Sequence, residues 1–172
     1  MRTILCSAIG IVVAAATVAT AEMKLGYINS EAIFAEYEGT KEAQDKFNNE
    51  VAKWEQEASK KQQEIKDLKE QIDKQSLLLS AERKKALEDS LNQKMVTYQK
   101  FLQDKFGQKG EALVKNEELT KPIIEKINKI IEKIAKEENY DYIFDARAGA
   151  IVYAKKMYDL NQRVLEALAK EK

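Results

Sequence analysis

The side chains that most often carry chemistry are nearly absent from this sequence. It has no His and a single Cys, Cys6. Imidazole triads, imidazole metal sites and histidine proton shuttles are therefore excluded. Carboxylates are plentiful, with 29 Asp and Glu against 29 Lys and Arg. Catalytic carboxylate pairs need a cleft, however, and most of these acids fall along long helical stretches. Asp145 and Arg147 flank a turn, where an ion pair or a turn cap accounts for them. The sequence holds no glycine-rich phosphate loop and no metal-ligand cluster. It predicts no enzyme, no cofactor and no metal, so function must reside in surfaces.

The N-terminus narrows the setting. Met1-Arg2 is a short basic start, positions 4–19 are almost wholly apolar or small, and Ala19-Thr20-Ala21 is an A-x-A pattern. This reads as a secretory signal peptide over residues 1–21, cleaved after Ala21. Cys6 precedes the long apolar run, so it is no lipid-anchor cysteine. No other segment approaches the ~18 apolar residues that span a bilayer. Cleavage leaves 172 − 21 = 151 residues with 29 − 1 = 28 basic and 29 acidic side chains, net −1. An exported chain without disulfides must be held by packing or by assembly. Its near-neutral charge gives no support for nucleic-acid binding.

The elements that position the surfaces follow from periodicity. Lys24-Leu25-Gly26-Tyr27-Ile28-Asn29 alternates as a strand. Asn29 or Ser30 caps a short helix over 31–38, with Gly39 as its breaker. From 40 to 119 the pattern is helical. Ala43, Phe47, Val51, Trp54, Ala58, Ile65, Leu68, Ile72 and Leu79 mark a heptad-like seam, repeated at Leu87, Leu91, Met95, Tyr98, Leu102, Phe106 and Leu113. Leu77-Leu78-Leu79-Ser80-Ala81-Glu82 interrupts the register, with Ser80 as a cap. The two halves fold into an antiparallel hairpin whose tip lies near 77–82, which sets Trp54 near Phe106 and Phe47 near Leu113. The competing arrangement is one uninterrupted helix dimerising with another chain. Pro122 either starts a new helix or kinks a continuous one. Ile123, Ile127, Ile130, Ile131 and Ile134 form a core stripe in a helix ending near Glu138-Asn139. A β-hairpin follows, over 140–146 and 150–154, with Arg147-Ala148-Gly149 as its turn. Asp159 caps a last helix with Val164, Leu165 and Leu168 inward.

The expected fold is thus α+β, a long coiled-coil hairpin arm (40–119) projecting from a small β-sheet body (22–39 plus 120–172). Core or assembly positions of the body are Leu25, Tyr27, Ile28, Ile123, Ile127, Ile130, Ile131, Ile134, Tyr142, Phe144, Ile151 and Tyr153. The body holds 151 − 80 = 71 residues, close to the size at which a core needs help. Three strands leave open edges, which other copies of the chain can close.

With these elements in place, the chain resembles the OmpH/Skp family of periplasmic chaperones for outer-membrane proteins. The likeness begins at Lys24-Leu25-Gly26-Tyr27-Ile28-Asn29 and resumes at Leu119-Thr120-Lys121-Pro122-Ile123-Ile124-Glu125-Lys126-Ile127. It is clearest over Asn139-Tyr140-Asp141-Tyr142-Ile143-Phe144-Asp145, Ile151-Val152-Tyr153-Ala154 and Asp159-Leu160-Asn161-Gln162-Arg163-Val164-Leu165. The resemblance implies a periplasmic homotrimer with an intertwined β-barrel body and three arms around a cavity. It also implies an ATP-independent holdase that keeps unfolded outer-membrane β-barrels from aggregating before insertion. The charge balance departs from the strongly basic members of the family.

Client contacts would come from apolar residues left over by the seam, namely Phe101, Leu77 and Leu78; Phe101 could equally widen the seam and the leucines cap the hairpin. Lys74, Arg83, Lys84 and Lys85 make the tip locally positive, either as an ordinary solvated face or as a weak contact with a membrane surface. Screening over about 8 Å at physiological salt limits that contact. The alternative function is a structural or adaptor coiled-coil protein of the cell envelope.

Overall fold

A computed structural model describes residues 23–76 and 78–171. The segment expected to be a signal peptide (1–21) and Leu77 lie outside the described residues. The elements run β1 (Leu25–Ile28), α1 (Ser30–Glu36), α2 (Glu38–Gln75), α3 (Ala81–Phe106), α4 (Glu111–Glu137), β2 (Tyr142–Asp145) and α5 (Asn161–Lys170). Short 3₁₀ turns at Ala146–Ala148 and Lys156–Tyr158 separate β2 from α5.

Asn29 caps α1 as expected, its side chain accepting the Ala32 N–H at 3.0 Å. The break between α1 and α2 falls at Tyr37, in extended conformation, and not at Gly39. Gly39 lies in the first turn of α2, where the Tyr37 ring occupies the space a Cβ would need. Its role is close approach, not helix breaking.

α2 and α3 form the hairpin. Ser80 caps α3 by accepting the Arg83 N–H at 3.3 Å. Backbone and Ser80 hydrogen bonds hold the Glu82 carboxyl in that first turn below the usual carboxylate range. Trp54 and Phe106 meet edge to face, with ring centroids 6.1 Å apart. Lys94 pairs with Glu64 at 2.6 Å further out, in the register set by a turn near position 80. The return strand breaks at Gly107–Gly110, while α4 runs unbroken through Pro122. Gly110 is buried, and a Cβ there would lie 2.7 Å from the Lys105 carbonyl oxygen.

The core of the body is Ile28, Ile33, Ile127, Ile130, Ile134, Leu160, Val164 and Leu168, contributed by β1, α1, α4 and the segment leading through α5. Ile123, Ile131 and Leu165 pack against its margin. Gly26 passes beneath Leu160, whose Cδ1 would stand 2.6 Å from a Cβ. α5 begins where the Asp159 carboxylate accepts the Asn161 N–H at 2.9 Å.

The sheet differs from expectation. Its two strands pair in parallel, Leu25 with Tyr142 through Ile28 with Asp145. Lys24 secures the register: its N–H donates to Asp141 at 2.7 Å and its ammonium sits 4.0 Å from the Tyr140 ring centroid. Residues 150–154 form no strand, so the predicted β-hairpin is absent. Gly149 does adopt a left-handed φ of 70°, but it ends a 3₁₀ turn that carries the chain away from β2.

Strand alternation also sorts the body positions between core and surface. Ile28 and Ile143 lie on or against the core, which turns Tyr142 and Phe144 to the opposite face. They stack on each other at 6.0 Å and are 56% and 46% exposed. Leu25 and Tyr153 are also exposed, and Ile151 is partly buried. In the single chain Leu25, Tyr142, Phe144 and Tyr153 are thus surface, so of the two roles expected for them only assembly would bury them.

Candidate functional site: arm surfaces and the open face of the body

Phe101 is partly buried on α3 and is flanked by cations. The Lys61 ammonium from α2 lies 5.3 Å from its ring centroid and that of Lys105 lies 6.0 Å away. Such cation–π contacts occupy the ring face, so Phe101 ties the hairpin together and offers little free surface. At the tip, Leu78 is 87% exposed. Lys74 pairs with Glu70 and Lys84 with Glu88. Arg83 and Lys85 make no ion pair among the described residues. The tip cations are thus divided between local pairs and free charges.

Apolar side chains outside the predicted set are also exposed on the return strand. Met95, Val96, Phe106, Leu113, Val114 and Ile124 are all more than one-third exposed. Helical phase could have found Val96, which lies about 100° from Met95 around the helix axis. Phe106 stays in the seam against Trp54 while 41% exposed, and Leu113 follows the interruption at Gly107–Gly110.

The open face of the body is larger. A mostly apolar cleft of about 680 Å³ is lined by Leu25, Tyr27, Phe144, Ile151, Val152 and Tyr153, among others. Val152 and Tyr153 stand almost free of the rest of the chain. A two-stranded parallel sheet with one bare face is unusual, because parallel sheets are normally covered on both sides.

Asp145, at the end of β2 on the side away from this face, ties the strand to the start of α1. Its carboxylate accepts the Ser30 hydroxyl at 2.6 Å, the Ser30 N–H at 3.1 Å and the Arg147 N–H at 3.1 Å. Burial pushes its pKa up, but these hydrogen bonds and the Arg147 charge outweigh burial and bring it below the usual carboxylate range. A depressed folded pKa means stability that is present above the unfolded value of about 3.9 and is lost as pH falls through the folded value. Asp145→Asn is therefore expected to cost about 1–2 kcal/mol at pH 7 and much less at pH 2. Urea melts at the two pH values check this, and an equal deficit at both would refute it.

Among the described residues there is no group of three side chains suited to a metal ion, and no helix is long and apolar enough to cross a membrane. The architecture is a helical hairpin on a small body with a bare apolar face. The sequence matches the family described as outer membrane protein (OmpH-like) over residues 24–168, which takes in the body and the whole arm. The chain belongs to the OmpH-like family. Among solved structures, it is similar to a crystal structure described as a "putative outer membrane chaperone (OmpH-like)" from Caulobacter crescentus CB15. The two share 14% identity and a TM-score of 0.79, over 88% of this chain and 87% of that one. At that identity the likeness shows the fold. No curated protein sequence matches.

Proposed function

We propose that this OmpH-like protein is a periplasmic, ATP-independent holdase that works as a homotrimer and shields unfolded outer-membrane β-barrels from aggregation. Membership of the family across both body and arm carries the reading. The secretory leader pattern supports an exported location. The bare apolar face of the body supports self-assembly, since other copies could cover it. An unfolded barrel exposes alternating apolar side chains and unpaired backbone groups. Arms that carry separated, partly exposed apolar residues such as Met95, Val96 and Leu113 among balanced charges would hold it through many weak contacts. With a net charge of −1 after cleavage, strong electrostatic capture contributes little.

The test dilutes an outer-membrane β-barrel from urea with and without the purified mature protein. Light scattering is expected to fall sharply at a few-fold excess of trimer, and unchanged scattering would sink the holdase reading. Leu78, the most exposed apolar side chain of the described arm, is the feature an envelope adaptor would use for docking. Leu78→Ser should leave holding intact if the arms act as a whole.

A further inference from the structure

At the level of Trp54 the arm changes from two continuous helices to one. α2 runs unbroken past this point, whereas the return strand stops at Phe106 and restarts at Glu111. Of the two helical ladders, α2's alone is continuous at this level. The Gly107 N–H closes α3 on Gln103 O at 2.9 Å, and within the break the Gly110 N–H donates to Gly107 O at 2.8 Å.

One side chain spans the gap. Lys105, in the last turn of α3, pairs with Glu111 in the first turn of α4. Its ammonium also lies 5.3 Å from the Trp54 ring centroid on α2 and 6.0 Å from that of Phe101. The Lys105 side chain is 19% exposed while that of Glu111 is 56% exposed, so the cation is held against the aromatic rings and the carboxylate reaches in to it. Beside this junction a cleft of about 650 Å³, lined by Trp54, Gln103, Lys109, Glu111 and Val114 among others, leaves room for the return helices to tilt.

We infer that the arm bends at the Gly107–Gly110 break and that Lys105 is the clasp holding α3, α4 and α2 in their present alignment. The clasp is electrostatic on its Glu111 side, so salt weakens it. The Trp54–Phe106 contact is apolar and does not depend on salt in this way. The inference rests on the hairpin geometry alone, and the holdase reading can fail without touching it.

Trp54 is the single tryptophan of the chain, which gives a native reporter. In the full mature protein, Lys105→Gln should raise acrylamide quenching of Trp54, with a rise in the bent population of about two- to five-fold. A second readout is the spin-label distance distribution between Lys84→Cys at the tip and Glu166→Cys on α5, with labelled chains diluted into unlabelled ones. It should broaden in the Lys105→Gln background. Lys61→Gln removes the other cation over Phe101 without crossing the break, and should change neither readout. Raising salt from 0.1 to about 1 M should broaden the wild-type distribution but leave Lys105→Gln unaffected. This salt series reads the clasp even if the variant unravels the arm. Unchanged wild-type distances across the series, or equal broadening from Lys61→Gln, would overturn the inference.

Discussion

Ile130→Ala is expected to destabilise the body by about 3–4 kcal/mol, at the middle of the range for isoleucine truncation in a core. Ile130 is 1% exposed and lies in one cluster with Ile33, Val164 and Leu168, each as fully buried. It comes from α4, the helix that joins body to arm, so its loss loosens the packing of α1 and α5 on the arm's base. The core has eight buried residues, which leaves little surrounding mass to collapse into the cavity. For a body of this size, such a loss lowers the melting midpoint by more than about 10 °C. Circular dichroism melts at one fixed protein concentration measure it, because assembly would make the midpoint concentration-dependent. A shift smaller than about 3 °C would mean that the cluster is not what holds the body together. Ile124→Ala on the same helix, at 49% exposed, should cost far less.

The contrast between Ile130 and Ile124 shows which parts of the fold were legible. Helical phase placed the isoleucine stripe of α4, and the core follows it, because a stripe of one side-chain type at 3.6-residue spacing has one way to be buried. Heptad spacing likewise put Trp54 opposite Phe106, since the hairpin has a single turn and so a single register. Strand pairing was not legible. β1 and β2 are joined by a crossover of more than 110 residues, and no local signal marks a partner at that distance. The Arg147-Ala148-Gly149 turn suggested a nearby hairpin instead. The breaks in the arm's path were not legible for a related reason. Gly39 looks like a helix interrupter, but Tyr37 and the Gly107–Gly110 pair do that work, through packing that spacing does not report; of the two readings open for Pro122, the continuous helix is the one that forms. Phe101 was open to both readings, as a contact residue or as part of the seam. Lys105 lies four residues on, one helical turn away, and could have suggested the covered ring; Lys61 comes from the other helix and could not.

The bare face of the body sets up the second large effect. Val152 is 99% exposed and Tyr153 82% exposed, with Met157 and Tyr142 also more than half exposed. In a chain that works alone, replacing Val152 and Tyr153 by Asp would touch almost nothing and change stability by no more than about 0.5 kcal/mol per site. If copies of the chain cover this face, the same double substitution places two unpaired carboxylates in an apolar interface. That costs several kcal/mol per charge by the usual desolvation penalty, roughly enough to dissociate a micromolar assembly. Sedimentation is expected to show the wild type as a trimer and Val152→Asp with Tyr153→Asp as a monomer that keeps its arm helicity. Val96→Asp, equally apolar and 64% exposed but on the arm, controls for a general gain in solubility and should still sediment with the wild type. If the double variant sediments with the wild type as well, the face is not the assembly surface. The open strands must then be protected in some other way, such as by the bound client itself.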